Sequence, residues 1–371
     1  MNRKDNIRMA LISCLLTICF ESFHGHHENA LGQINAGLSI MQDWLNKQHI
    51  AKHMSGLRSP NPDVIDNRLF HSFMRLEVAA MQFFDRRSGD FHREQSLEGL
   101  ETVERMPQSF GDLEEAGVYF CVVRKRIMHF IKWMESKKVV HRYHKQSRLG
   151  PTNIKTTFPN RHLNVVLGPG HIEVESYSGE LKRWATAFQP IMDRSRSSEG
   201  QMELLPALLM KLHEKLLFIL LVGLKFHEEC LFDQFLPEFT EIVALAETLL
   251  AHPSLAHSAG KAVFIFDPNI VLPLLVVAIK CRNWGIRRKA IELLQANPRR
   301  EGTWDSSLAA GIGFWHMTIE EEGLQTGDFV PEKNRVCMAG VTQDFEKRTA
   351  RLSASQEIDG ETIIHETTIH W

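Results

Sequence analysis

Along most of this chain, apolar residues return every three or four positions, the spacing of one face of an α-helix. Ala30, Leu31, Ile34, Leu38, Met41 and Leu45 form one such face, and Val118, Cys121, Val122, Ile127, Phe130, Ile131 and Met134 form another. Alternating apolar and polar runs, which half-buried strands need, are too few for a substantial sheet. The expected fold class is therefore all-α, an irregular helical bundle of antiparallel helix hairpins, tetratricopeptide-like in part.

Breakers set the expected boundaries. Residues 7–22 read as one helix, ended by Gly25, and a second helix follows. Its small residues Ala30 and Gly37 allow a close approach between the two, although no fixed-period repeat supports an array. After "SPNPD" (59–63), Asp63 is expected to cap a helix over 64–84, with polar loop over 85–96 and a long helix over 113–140. Residues 141–172 are basic, Pro- and Gly-containing and weakly periodic, as a flexible connection would be. Helices are expected again over 172–193, 201–226 and 231–251. In "FDPN" (266–269), Asp267 suits a cap and Pro268 a first helical position, while Pro273 predicts a kink. Helices over 286–295 and 305–322 complete one expected domain, 1–330. Residues 331–371 are expected to be a weakly structured tail, apart from a short strand over 336–342.

A formal net charge of −2 supplies no overall field toward nucleic acid or an anionic membrane. Cys14, Cys19, Cys121, Cys230, Cys281 and Cys337 are scattered without any C-x-x-C, which fits neither a disulfide framework nor a zinc site and suits a reducing compartment. The basic start and the apolar run from Met9 to Phe20 mimic a signal peptide, but a small-x-small cleavage site is lacking and the periodicity fits a buried helix. Leu216 to Leu224 is too short to span a bilayer, so no transmembrane helix is expected.

Motifs that carry a mechanism are missing: G-x-S-x-G, the phosphate-cradling G-x-x-x-x-G-K-S/T, G-x-G-x-x-G and H-E-x-x-H. His24, His26 and His27, near Cys19 and Glu28, offer imidazole and thiolate ligands, yet no second ligand set completes a metal site and the cluster reads as a solvated turn. "HRYH" (141–144) and "HEEC" (227–230) read as polar helix ends. "EEE" (320–322) reads as a solvated helix end, and Glu77 as the polar side of an amphipathic helix. No two carboxylates pair for acid–base work. The expected catalytic, cofactor-binding and metal residues are thus none, and no enzyme activity is expected.

The stretch after Lys280 packs six arginines and lysines beside Trp284 and Trp304. On a helical wheel Ile286, Ala290, Leu293 and Leu294 share one face, with Arg287, Arg288, Lys289 and Glu292 on the other. Trp304, Leu308, Ile312, Trp315 and Ile319 form the stripe of the next helix, which Thr303 or Asp305 would cap. A DNA-binding patch would need these cations exposed; Arg–Glu pairs pinning a helix hairpin are the favoured reading.

The segment from "FDPNIVLPLL" through "NPRREGTWD" to "EEEG" resembles the C-terminal part of the regulatory domain in fungal zinc-cluster transcription factors. The matching features are Pro273, Cys281-Arg282, Arg287 to Leu294 and Pro298 to Asp305. Residues 15–45 are similar to the family's helical hairpin, so the resemblance spans roughly 8–325. The family's C-x2-C-x6-C…C-x2-C-x6-C zinc module is absent from it. The resemblance implies a transcriptional regulator in the nucleus, by family habit one controlling a secondary-metabolite gene cluster. It would act through protein partners of the transcription machinery or as a homodimer, as a truncated or a stand-alone regulatory domain, with no direct sequence-specific DNA binding and no membrane contact. The rival reading is a non-DNA-binding helical scaffold or ligand-sensing interaction module.

Overall fold

The computed structural model describes residues 3–48, 55–81, 85, 87–145, 170–198, 200–252, 263–265, 269–302, 304–344 and 346–371. The chain forms two compact units, Met1–Ser136 with Ser176–Met210 and Lys137–Glu175 with Lys211–Trp371. Most of the connection expected over 141–172 lies outside the described residues, as does Asp267-Pro268.

The first unit opens with α1 (Arg3–His24) and α2 (His27–Leu45). Gly25, at φ 84°, makes the turn, and the His26 N–H donates to the Glu21 carbonyl at 2.9 Å. Leu11, Cys14 and Ile18 are buried beside Ala30, Ile34 and Met41, whereas Met9, Leu16, Phe20 and Phe23 are exposed. By length and composition, Asn6–His24 is long and apolar enough to cross a membrane, which the sequence reading did not anticipate. Next comes α3 (Asn67–Met81), where Asp66 rather than Asp63 accepts the Leu69 N–H, at 3.0 Å. The polar stretch expected to be loop holds α4 (Gly89–Leu97), capped by Ser88, and α5 (Leu100–Glu104) follows. The residues α4 buries are His92 and Ser96, so its inward face carries no hydrophobic signal.

Three long helices complete this unit and continue beyond it: α6 (Leu113–Lys145), α7 (Gly170–Ser195) and α8 (Leu204–Gly223). Trp184 is the centre of the first core. Its indole N–H donates to the Ala116 carbonyl at 2.9 Å, and its ring packs against Phe120 and Phe188 at 4.4 and 4.7 Å.

In the second unit, α9 (Leu236–Ala251), α10 (Val271–Lys280), α11 (Trp284–Ala296) and α12 (Ser306–Glu320) surround an apolar centre. Pro273 lies in the first turn of α10, where its missing N–H costs no helical hydrogen bond. The α10 N-terminus is held by Glu301, whose Oε2 accepts the N–H groups of Asn269, Ile270 and Val271 at 2.8–2.9 Å. Gly313 lets α12 close on α10: a Cβ there would lie 2.6 Å from that of Ala278.

An all-α class is too narrow. β1 (Val263–Ile265) pairs in parallel with β2 (Arg299–Glu301), which pairs antiparallel with β3 (Trp304–Asp305). The expected weak tail is instead an antiparallel meander of β4 (Val336–Asp344), β5 (Thr349–Ile358) and β6 (Glu361–His370). Its inward residues on β5 include Ala350, Leu352 and Ala354, mostly too small to register as an apolar alternation. Asp359 and Gly360 join β5 to β6 with φ 52° and 85°, the Asp-Gly signature of a tight hairpin.

The basic stretch is absorbed into this second core. Arg282 Nη2 is 2.7 Å from Glu320 Oε1, and Arg287 Nη2 is 2.8 Å from Glu320 Oε2. The Val336 N–H also donates to Glu320, at 2.8 Å, tying α12 to β4. Arg282 and Lys280 both reach Glu229, at 2.9 and 3.0 Å. Arg288 pairs with Glu321 and stacks on Trp284 at 4.4 Å. Two expectations are thereby corrected: Glu320 is 0% exposed, not a solvated end, and Arg287, also 0% exposed, belongs to the buried face of α11. Ion pairing drew inward groups that hydropathy alone places outside. Trp315 and Ile319 in turn are half-buried, with His316 and Met317 taking the inward face of α12.

Glu320→Ala leaves two buried guanidinium groups without their shared carboxylate. A loss of about 3–5 kcal/mol in urea unfolding is expected; a loss below about 1 kcal/mol would mean that both arginines find water.

Candidate ligand pocket in the first unit

A cavity of about 410 Å³ opens in the first unit, within the range of small-molecule sites. Met41, Phe70, Phe73 and Met74 give it apolar walls, with Gly56 and Gly99 bringing backbone close. Both glycines have positive φ, at 82° and 75°. A Cβ on Gly56 would come 2.8 Å from Val122, so this turn needs both the conformation and the bareness of glycine.

One side of the cavity is ionic, although Glu77 reads in the sequence as a routine surface carboxylate. Arg87 clasps Asp85 through Nε and Nη2, at 2.9 and 2.6 Å, and its Nη1 donates to Glu77 Oε1 at 2.7 Å. Lys125 bridges Glu77 and Glu98, at 3.4 and 3.2 Å. Arg126 donates to both Glu180 oxygens, at 3.0 and 2.9 Å, and to the Glu98 carbonyl at 2.8 Å. His129 Nε2 lies 3.3 Å from Glu77 Oε1. The four helices α3, α4, α6 and α7 thus contribute to, or flank, a single paired network.

Burial alone would raise the Glu77 carboxyl, but Lys125, His129 and Arg87 hold it well below the usual carboxylate range. Asp85 behaves likewise: its burial is outweighed by hydrogen bonds from His92 and Arg87, and its pKa is lowered. Lys125, first of all, lowers Glu98. Burial pushes His129 down to about 4 despite the neighbouring Glu77. Carboxylates held ionised in this way accept hydrogen bonds and do not deliver protons, so the arrangement suits binding rather than general acid catalysis. An occupant would lay an apolar body on Phe70, Phe73 and Met74 and meet Arg87, Lys125 and Glu98 with its polar end.

The residues considered as candidates from the sequence lie elsewhere. His26 Nδ1 is 2.8 Å from Glu21 Oε2, and His24 stacks on His26 with ring centroids 6.1 Å apart. The "HRYH" side chains, and that of His27, lie outside the described ones. In "HEEC", Glu229 is buried against Lys280 and Arg282. Among the described residues, no three His, Cys, Asp or Glu are grouped to hold a metal ion, and none of the six cysteines forms a disulfide. The pocket network escaped notice because its members, Glu77, Asp85, Arg87, Glu98, Lys125 and Glu180, are dispersed along the chain.

Acid should unfold this unit early. Because His129 is held neutral with a pKa of about 4, the unfolded chain binds its proton more tightly from about pH 6.5 downward. Glu77, depressed in the folded state, adds stability that is complete above about pH 5 and fades as pH falls through the carboxylate range. The thermal midpoint should therefore fall progressively below about pH 6.5, and Glu77→Gln should start lower and fall less steeply. Equal slopes for the two proteins would remove Glu77 from this role.

Over 109 residues the chain is 32% identical to the aspercryptin biosynthesis cluster-specific transcription regulator of Emericella nidulans. The match covers 27% of this chain and 17% of that protein's length. No family model matches the chain, and no solved structure matches it. The chain is thus related, over part of its length, to a fungal transcription regulator.

Proposed function

We propose that this chain serves as the regulatory part of a fungal transcription regulator of the zinc-cluster kind. In this reading it acts in the nucleus on a biosynthetic gene cluster. It works through contacts with other proteins and carries no catalytic activity of its own. The similarity over 109 residues to a cluster-specific regulator is the observation that carries the reading. The fate of the basic stretch supports it: Arg282, Arg287 and Arg299 are buried, so these guanidinium groups are withdrawn from any phosphate backbone. A second reading, a ligand-sensing module, is favoured by the cavity beside α3 and α6 and is compatible with the first.

Deleting the gene should change transcript levels of a co-located set of genes, and a tagged chain should accumulate in the nucleus. Nuclear exclusion together with an unchanged transcriptome would overturn the proposal. The purified chain should give no sequence-specific gel shift at physiological salt; a submicromolar specific complex would show that it reads DNA directly.

A further inference from the structure

His92 on α4 and His129 on α6 meet nitrogen to nitrogen, Nδ1 to Nδ1 at 2.9 Å. Two bare ring nitrogens would repel at this distance, and two protonated ones would clash, so one donates and the other accepts. The far corners face carboxylates: His92 Nε2 is 3.5 Å from Asp85 Oδ2, and His129 Nε2 is 3.3 Å from Glu77 Oε1. The His129 contact is an ion-pair approach without hydrogen-bond geometry, and a carboxylate this near still favours a proton on each Nε2. Three hydrogens on two imidazoles make one imidazolium and one neutral ring. Both side chains are buried, so a missing proton exposes a lone pair or a carboxylate where burial is costly.

The surrounding charges agree. Glu77 comes from α3, Asp85 and Arg87 from the segment before α4, Glu98 from just beyond it, Lys125 and Arg126 from α6, and Glu180 from α7. Arg93, beside His92 on α4, is turned onto the Trp133 ring. Among the described residues, carboxylates and cations thus surround the pair, with Glu98 at the solvent edge, and a shared imidazolium would join them as one more positive charge.

We propose that His92 and His129 share one proton and form a proton-sensitive latch between α4 and α6 beside the cavity. With the proton lost, either the two Nδ1 lone pairs face each other or a bare Nε2 faces a carboxylate. With a second proton added, the Nδ1 bridge breaks. The latch is therefore closed only within a window: acid breaks the Nδ1 bridge, and base either sets two lone pairs against each other or removes a donor from Glu77 or Asp85, two groups of the cavity wall.

Nitrogen NMR on the full chain labelled with ¹⁵N-histidine tests this. At neutral pH one ring should be an imidazolium and its partner a neutral ring with a bare Nδ1. A nitrogen–nitrogen coupling across the bridge would identify the pair among the 19 histidines without any variant. Two neutral rings would overturn the proposal, as would absence of the coupling. The latch also predicts a loss on the alkaline side. Since the folded pair retains a proton the unfolded chain releases, the thermal midpoint should fall by several degrees between about pH 6 and about pH 9. His92→Gln and His129→Gln should flatten that limb, and an alkaline limb unchanged in both would equally sink the latch.

Discussion

Glu320 is a carboxylate with no access to water, and much of the second unit is arranged around that fact. Burial alone would raise its pKa, yet Arg282 and Arg287 hold it near 2. Removing an ion from water is expensive, and only convergent partners of opposite charge offset the cost. Those partners sit at the end of α10 and on α11, while the carboxylate ends α12 and also accepts the Val336 N–H at the start of β4. Four elements therefore share one electrostatic joint. Arg335 repeats the device nearby: it donates to the Val330 and Glu229 carbonyls at 3.0 Å each and pairs with Asp233 at 2.6 Å.

The first unit uses the same chemistry beside a cavity. Glu77, Arg87 and Lys125 hold helices together as Glu320 does, but here the network borders open space. In the second unit Glu320, Arg282 and Arg287 are buried, whereas Arg87 and Glu98 in the first keep part of their surface open. A fully paired cluster is also close to charge balance, and a neutral cluster tolerates burial where a charged one would not.

Helices were legible wherever hydrophobic spacing was regular, as in α2, α6 and α9, because burying apolar side chains is what fixes them. Of the two caps expected for α12, Thr303 or Asp305, the structure uses Asp305, which accepts the Ser307 and Leu308 N–H groups at 2.9 and 3.1 Å. The misplaced polar residues share one physical origin. Arg287, Glu320, Glu77 and His92 are polar residues whose burial depends on partners far away in the chain, a property no local window contains. The meander differs: β6 is exposed along much of its length, so its alternation carries little apolar contrast, and the Asp359-Gly360 turn is the local sequence signal of its hairpin. The pocket lay beyond local reading altogether, because it exists only once Gly56, Phe73, Glu98 and Val122 meet.

The basic stretch shows why charge density is a poor guide to partners. Phosphate recognition needs cations that can shed counterions and reach outward. Arg282 spends its donors on Glu320, Glu229 and the Lys280 carbonyl, while Arg287 donates Nε to the Ala278 carbonyl and sets its Nη2 against Glu320. Arg288 and Lys289 remain nearer the surface, but each is engaged with a carboxylate, Glu321 and Glu247. A segment that looks like a nucleic-acid contact is thus the most internally committed part of the second unit. In the first unit, by contrast, Arg87, Lys125 and Glu98 line a cavity, so their paired charges border open space and not only packed core.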